Sequence, residues 1–465
     1  MTRARFPESF LFGVGTSDHQ CEAYDPRWRD VRDQWHERRG LTLRRRATDF
    51  WHRYAEDVEL AKGLGCTAFR FSVAWARVEP APGAFDREVL RHYADLTQHI
   101  VDAGMQPVIT LLHFTWPLHV EARGGLVGAE FPSMFQRYAA EVARALDTRV
   151  PYWITINEPN MVAFGYVKPW WQPSYSMPPG LPEDATMAEQ MSAVAALMRN
   201  LFLAHTAARA EIRARHPHAK VGANPSAVGI PAWLQRVLDR SATGLRDLRD
   251  LQRQGERVGR GPRRPGPQWL DPVRKGLGML RALTSTVFSA NWWHLGMAGR
   301  LPAFLCPASC IHQQDFVGID YYWGFSLLRP DRLGGMVAAL LHGRFDRAPV
   351  WPRGLYSVLK YHAGLFPDRE LLIVENGCVE VASNVTRADY IRIHLRQVER
   401  ALSDRMRVAG WLYWSLTSNR EWGNPFSPAT DFGLYHIALD EDPALTRVRT
   451  AAGDLYQSIV RRPDD

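Results

Sequence analysis

The chain of 465 residues contains no apolar run near the roughly 18 residues that a membrane-spanning helix needs, so a spanning helix is excluded. Its start, MTRARFPESFLFGVGTS, is basic, but the apolar stretch is too short for a secretory leader and already reads as a strand. A cytoplasmic protein is the expectation. Cysteine is scarce: five residues, an odd number without framework spacing, which argues for reduced thiols and against a disulfide scaffold. Cys306 and Cys310 stand four apart, yet no His or Cys pair completes a zinc set around them. A glycine-rich phosphate turn is also missing. GVGTSDHQ follows the first apolar run where a doubly wound nucleotide-binding sheet would carry one.

Excess charge is confined to one place. The net charge is +8, and residues 231–283 hold twelve Arg or Lys against five Asp or Glu, so +7 of it lies there. The rest is near neutral, which excludes a protein that binds nucleic acid along its whole surface. Within this segment GRGPRRPGPQ reads as a turn-rich linker between two amphipathic helical stretches. The expectation is an insertion on the rim of a larger body. A solvated helical excursion is the plain reading; a surface for an anionic membrane or an acidic partner is the sharper one.

What is present is a repeated pattern. Eight β-rich apolar runs begin at Phe10, Ala68, Gln106, Tyr152, Val221, Asp315, Leu371 and Ala409. Helical patterns such as FWHRYAEDVELAKGLG and REVLRHYADLTQHIVDAG separate them. Near-continuous apolar strands imply a parallel sheet covered on both faces. Eight such units predict a single α/β domain over 1–465, a (β/α)8 barrel, with 231–283 inserted between strands five and six. The apolar fraction of 46% supplies the core, and seventeen Trp is a high count that offers flat apolar surface for a ring-shaped ligand or equally fills core and interface.

Polar residues cluster at strand ends: Gln20, Arg70, His113, Asn157, Glu158, Tyr322, Glu375 and Trp414. In a barrel these open on one face, where barrel active sites sit. Glu158, in WITINEPN, and Glu375, in LLIVENG, stand 217 residues apart, each at a strand end that breaks at Pro or Gly within two residues. Two carboxylates so placed can flank one glycosidic bond and hydrolyse it through an oxocarbenium-like transition state.

At this point the chain resembles glycoside hydrolase family 1, the β-glucosidase family. FLFGVGTSDHQCEA, RFSVAWARVEP, TLLHF, WITINEP, DFVGIDYY, WPRGLY, VENG, WSLTSNREW and FGLYHIALD follow in the family's order. The resemblance implies a retaining exo-β-glycosidase with Glu158 as acid/base and Glu375 as nucleophile. Arg70 and Tyr322 would keep Glu375 ionised, and Asn157 would hold the sugar 2-hydroxyl. Gln20, His113, Glu421 and Trp422 would take the other hydroxyls over the ring of Trp414. Relatives that take 6-phosphorylated sugars tend to lack a carboxylate at the position of Glu421, so an unphosphorylated gluco- or galacto-configured substrate is implied. Neither cofactor nor metal is needed for this chemistry. A transglycosidase shares the first step and stays open as an alternative. A non-catalytic sugar-binding relative is opposed by the retention of both glutamates.

Several positions depart from the family pattern. Phe114 and Thr115 replace the usual Trp-Asp, Asp320 the usual Asn, Val374 the usual Thr, and Ser418 to Trp422 reads SNREW. Asp320 adds a third carboxylate that should raise a neighbouring pKa and shift the pH profile. Arg420 either pairs with Glu421 or points outward. Trp170, Trp171 and Tyr175, after the fourth strand, suggest a hydrophobic aglycone.

Overall fold

The computed structural model describes residues 3–146, 149–166, 181–182, 184–231, 233–236, 239, 291–324 and 332–461. Most of the basic segment 231–283, together with Trp170, Trp171 and Tyr175, lies outside them. Eight parallel strands form one sheet: β1 Leu11–Gly15, β2 Ala68–Ser72, β3 Gln106–Leu112, β4 Tyr152–Asn157, β5 Lys220–Asn224, β6 Phe316–Asp320, β7 Glu370–Asn376 and β8 Val408–Trp414. β1 pairs with both β2 and β8, and the ladder runs on to β5 at one end and to β6 at the other.

Backbone hydrogen bonds close the remaining seam. Asp315 donates to Val221 (2.8 Å), Asp320 to Pro225 (3.1 Å) and Ala227 to Asp320 (2.7 Å). The approach is tight: a Cβ at Gly318 would stand 2.4 Å from the Ala223 carbonyl oxygen, so only glycine fits there. The predicted (β/α)8 barrel is thus the observed architecture. Among the described residues no helix is long and apolar enough to cross a membrane.

The strands are buried on both faces, as their apolar runs require. Leu11, Ala68, Val108, Tyr152, Ile154, Phe316, Leu372, Val374 and Leu412 pack together as the barrel's filling. Val374, one of the departures, belongs to this plug. Outside it, amphipathic helices cover the sheet. The helix Arg87–Asp102 starts where Asp86 accepts from the Glu88 and Val89 amides, and it buries Val89, Leu90, Tyr93, Leu96 and Ile100 at helical spacing.

Two irregularities matter for function. Side chains alternate along a strand, so Ile154 and Asn157 of β4 should face opposite sides, as should Val374 and Glu375 of β7. The pairing register shifts between Ile154 and Asn157, and β7 slips against both neighbours before Glu375 and Asn376. Each slip turns the next polar residue toward the barrel mouth.

Candidate active site

Contacts join all ten residues singled out from the sequence into one cluster at the strand ends. Arg70, carried inward on β2, is fully buried. Its Nη1 donates to Glu375 Oε1, its Nη2 to Asn157 Oδ1 (2.6 Å) and its Nε to Thr110 Oγ1 (3.0 Å). Tyr322 donates its hydroxyl to the other Glu375 oxygen at 2.7 Å. One carboxylate oxygen of Glu375 therefore faces a guanidinium and the other a phenol.

Glu158 directly follows β4 with φ +38°, an uncommon backbone for a residue with a side chain, and its amide donates to Asn224 O at 3.1 Å. Glu158, Asp320 and Glu375 offer carboxylate oxygens that all lie within 4.8 Å of one another. Burial, then the charge of Glu375, pushes Glu158 up to about 8. Burial, then Glu375 and Glu158, holds Asp320 well above the usual carboxylate range, against the pull of Arg70. The carboxyl group added at position 320 is thus itself strongly shifted. Asn157 leaves its Nδ2 buried and without a partner, a donor group free for a ligand.

A second wall rises from β1, β3 and β8. Gln20 donates to Glu421 Oε1 (3.1 Å) and to Asn419 Oδ1 (2.9 Å), and Trp414 Nε1 donates to the same Glu421 oxygen at 3.3 Å. Burial pushes Glu421 up to about 8, against these donors. The ring of His113 lies 5.8 Å from those of both Trp414 and Trp422, close to parallel with each. Burial, then Arg70, holds His113 well below its usual value, so it is a neutral hydrogen-bonding group. The Trp414–Ser415 peptide is cis.

The departures from the family pattern find their places. Arg420 turns to Asp440, which both of its terminal nitrogens reach, so it does not pair with Glu421. Thr115 donates to Asp18 Oδ2 at 2.8 Å. Phe114 packs edge-on against Trp422, with the Arg32 guanidinium 4.5 Å from the Trp422 ring centre. Sequence reasoning missed Thr110, Asn224 and Asp18. Thr110 could have been found by strand parity with Arg70. Asn224 could have been found as the polar end of an apolar strand.

Among the described residues two groups bring three metal-type donors together, and an arginine already sits in each. Arg70 holds Glu375 in the trio above; Arg44 holds Asp33 (2.6 Å) and Asp30 (3.6 Å) beside His19.

Comparison with known proteins agrees with this geometry. The profile of glycosyl hydrolase family 1 matches residues 2–233 and 341–464. The chain is 27% identical to beta-glucosidase 16 of Arabidopsis thaliana over 95% of its own length and 88% of that protein's. It is 25% identical to a 1,4-beta-D-glucan glucohydrolase of Thermotoga neapolitana, over 98% of each. Its fold is similar to that of a beta-glucosidase from Thermotoga maritima in complex with deoxynojirimycin, with a TM-score of 0.72, 22% identity and 98% coverage of both chains. The family profile spans most of the chain, and the chain belongs to glycosyl hydrolase family 1 as a β-glucosidase-like glycoside hydrolase.

Proposed function

We propose that this protein is a retaining exo-β-glycosidase that removes a terminal, unphosphorylated β-D-glucosyl or galactosyl unit by double displacement. The observation that carries the reading is the closeness of Glu158 and Glu375, whose oxygens approach within 4.8 Å. Inverting enzymes need about 6.5–9.5 Å between their carboxyl groups to admit a water; retaining ones hold them about 5–5.5 Å apart.

In the first step Glu158 gives its proton to the glycosidic oxygen while Glu375 attacks the anomeric carbon. The bond to the leaving group breaks and a glycosyl ester forms on Glu375. That ester has no charge. The second-largest cause of the raised Glu158 pKa is then gone, while the pull of Arg70 remains. Glu158 becomes the base that takes a proton from water, and the water displaces Glu375 from the sugar. Asn157, with its free Nδ2, suits the 2-hydroxyl, a contact that strengthens in the transition state.

The carboxyl of Glu421, held by Gln20 and Trp414, supports an unphosphorylated sugar, since in either protonation state it offers a phosphate no balancing positive charge, and the adjacent Arg420 is engaged by Asp440. A hydrophobic aglycone is supported by the sequence around Trp170, Trp171 and Tyr175. The continuous barrel supports one catalytic domain, with 231–283 as an insertion in it.

Trapping with 2-deoxy-2-fluoro β-glycosides tests this reading. The expected result is a covalent adduct on the peptide bearing Glu375 and retained configuration in the product. Inverted product, or turnover with no trapped ester, would overturn it. Adding an alcohol acceptor to the same assay shows whether water or an alcohol takes the glycosyl unit.

A further inference from the structure

Asn157 Oδ1 receives two donors, Arg70 Nη2 and Asn224 Nδ2, each at 2.6 Å. An amide has one acceptor end and one donor end, so two donors converging on one atom determine which end that is. The Nδ2 end must then face the other way, and there it is buried and unpartnered. Asn224 is oriented in turn. Its Nδ2 also donates to Asp320 Oδ2 at 2.6 Å, while its own Oδ1 has no partner. A rotated Asn224 amide would set an oxygen against the oxygens of Asn157 and Asp320. Whether or not Asp320 carries a proton on its other oxygen, Oδ2 can accept. Asn157, Asn224 and Asp320 are all sealed from solvent, so water cannot substitute in this chain.

The chain crosses the seam between β5 and β6, where the sheet is not laddered. Backbone bonds from Asp320 to Pro225 and from Ala227 to Asp320 hold the two strand ends in place. The Asn224 carbonyl meanwhile receives the amide of Glu158 at 3.1 Å. One residue thus touches both the group expected to read the sugar and the group expected to supply the proton.

We infer that Asn224 and Asp320 are positioning residues that hold the Asn157 amide with its donor toward the sugar, and so set the preference for a substrate bearing a 2-hydroxyl. This rests on the glycosidase reading above. Arg70 alone is an incomplete anchor, because its partner Glu375 loses its charge when the ester forms. The bonds from Asn224 to Asn157 and to Asp320 use neither oxygen of Glu375 and keep Asn157 aligned through both steps.

The test compares kcat/KM for 4-nitrophenyl β-D-glucoside with that for its 2-deoxy analogue. Asn224→Ala is expected to lower the first by about tenfold and the second by less than about threefold. Asp320→Leu should act in the same direction. Asp320→Asn, which still offers an oxygen to Asn224, should restore the preference. Calorimetry with deoxynojirimycin against isofagomine, an iminosugar without a hydroxyl at that position, reads the same contact without turnover. Equal losses on both substrates in the variants, measured against an active wild type, would overturn the positioning role alone. A wild type that neither hydrolyses the glucosides nor binds the iminosugars would instead overturn the glycosidase reading beneath it.

Discussion

Thr115 donates its hydroxyl to Asp18 Oδ2 at 2.8 Å, and Ser72 completes the same carboxylate by donating to Oδ1 at 2.6 Å. All three are buried. The family resemblance expects an Asp at position 115, after the strand-three histidine. Here a carboxylate reaches that place from the turn after β1. Thr115→Asp would set two buried carboxylates face to face. We expect a loss of about 2–4 kcal/mol, since Asp18 would lose its Thr115 donor and the two carboxylates would repel each other. Combining Thr115→Asp with Asp18→Ser should recover most of the loss. Urea denaturation of the two variants reads both effects, and a single variant as stable as the wild type would contradict the exchange.

The raised pKa of Glu158 has a kinetic consequence. The first step needs its proton, so kcat/KM should fall as pH rises through about 8. Glu158→Gln should abolish this limb. It should also cost about 10²–10⁴ in kcat/KM on alkyl glucosides, whose leaving group needs protonation, and much less on activated aryl glucosides. Glu421 is pushed up to about 8 as well, so the assignment needs a control. A limb near 8 that survives in Glu158→Gln but vanishes in Glu421→Gln would reassign it.

Glu421 also links stability to pH. Its folded pKa is about 8 against an ordinary value of 4.5, so folding takes up a proton between these limits. The unfolded chain then binds fewer protons, and stability falls as pH rises from about 4.5 to about 8 before levelling. The neutral isostere Glu421→Gln removes this dependence. It should be more stable than the wild type at pH 8 by about 2–4 kcal/mol, and little different at pH 4.5. Guanidinium denaturation across that range checks it; parallel curves for the two proteins would contradict it. The gain in stability should come with a loss of sugar affinity.

Much of this was legible from residue order. Eight apolar runs with helical spacers argued for a barrel, and the lack of a glycine-rich phosphate turn after the first strand argued against a doubly wound open sheet. Glu158 and Glu375 stood out jointly, as two strand-end carboxylates that each precede a Pro or Gly within two residues and sit in blocks following the family's order. Arg70 was legible because a cation inside an apolar strand must find a buried partner. The partners of Arg420 and Thr115 were not legible. Asp440 and Asp18 lie 20 and 97 residues away, and nothing in the local pattern points to them.

The sequence by itself determined the strands, their parallel order and the chemical types that collect at one end of the barrel, because period and polarity are local properties. Only the tertiary structure decided which way two of those groups face. By strict alternation Asn157 and Glu375 would point away from the barrel mouth, into the surrounding helices. The register slips in β4 and β7 reverse that, and they arise where neighbouring strands are paired across the barrel. The same closure brings Asp320 beside Asn224. A slip and a seam are relations between strands, so no single run of residues could have carried them.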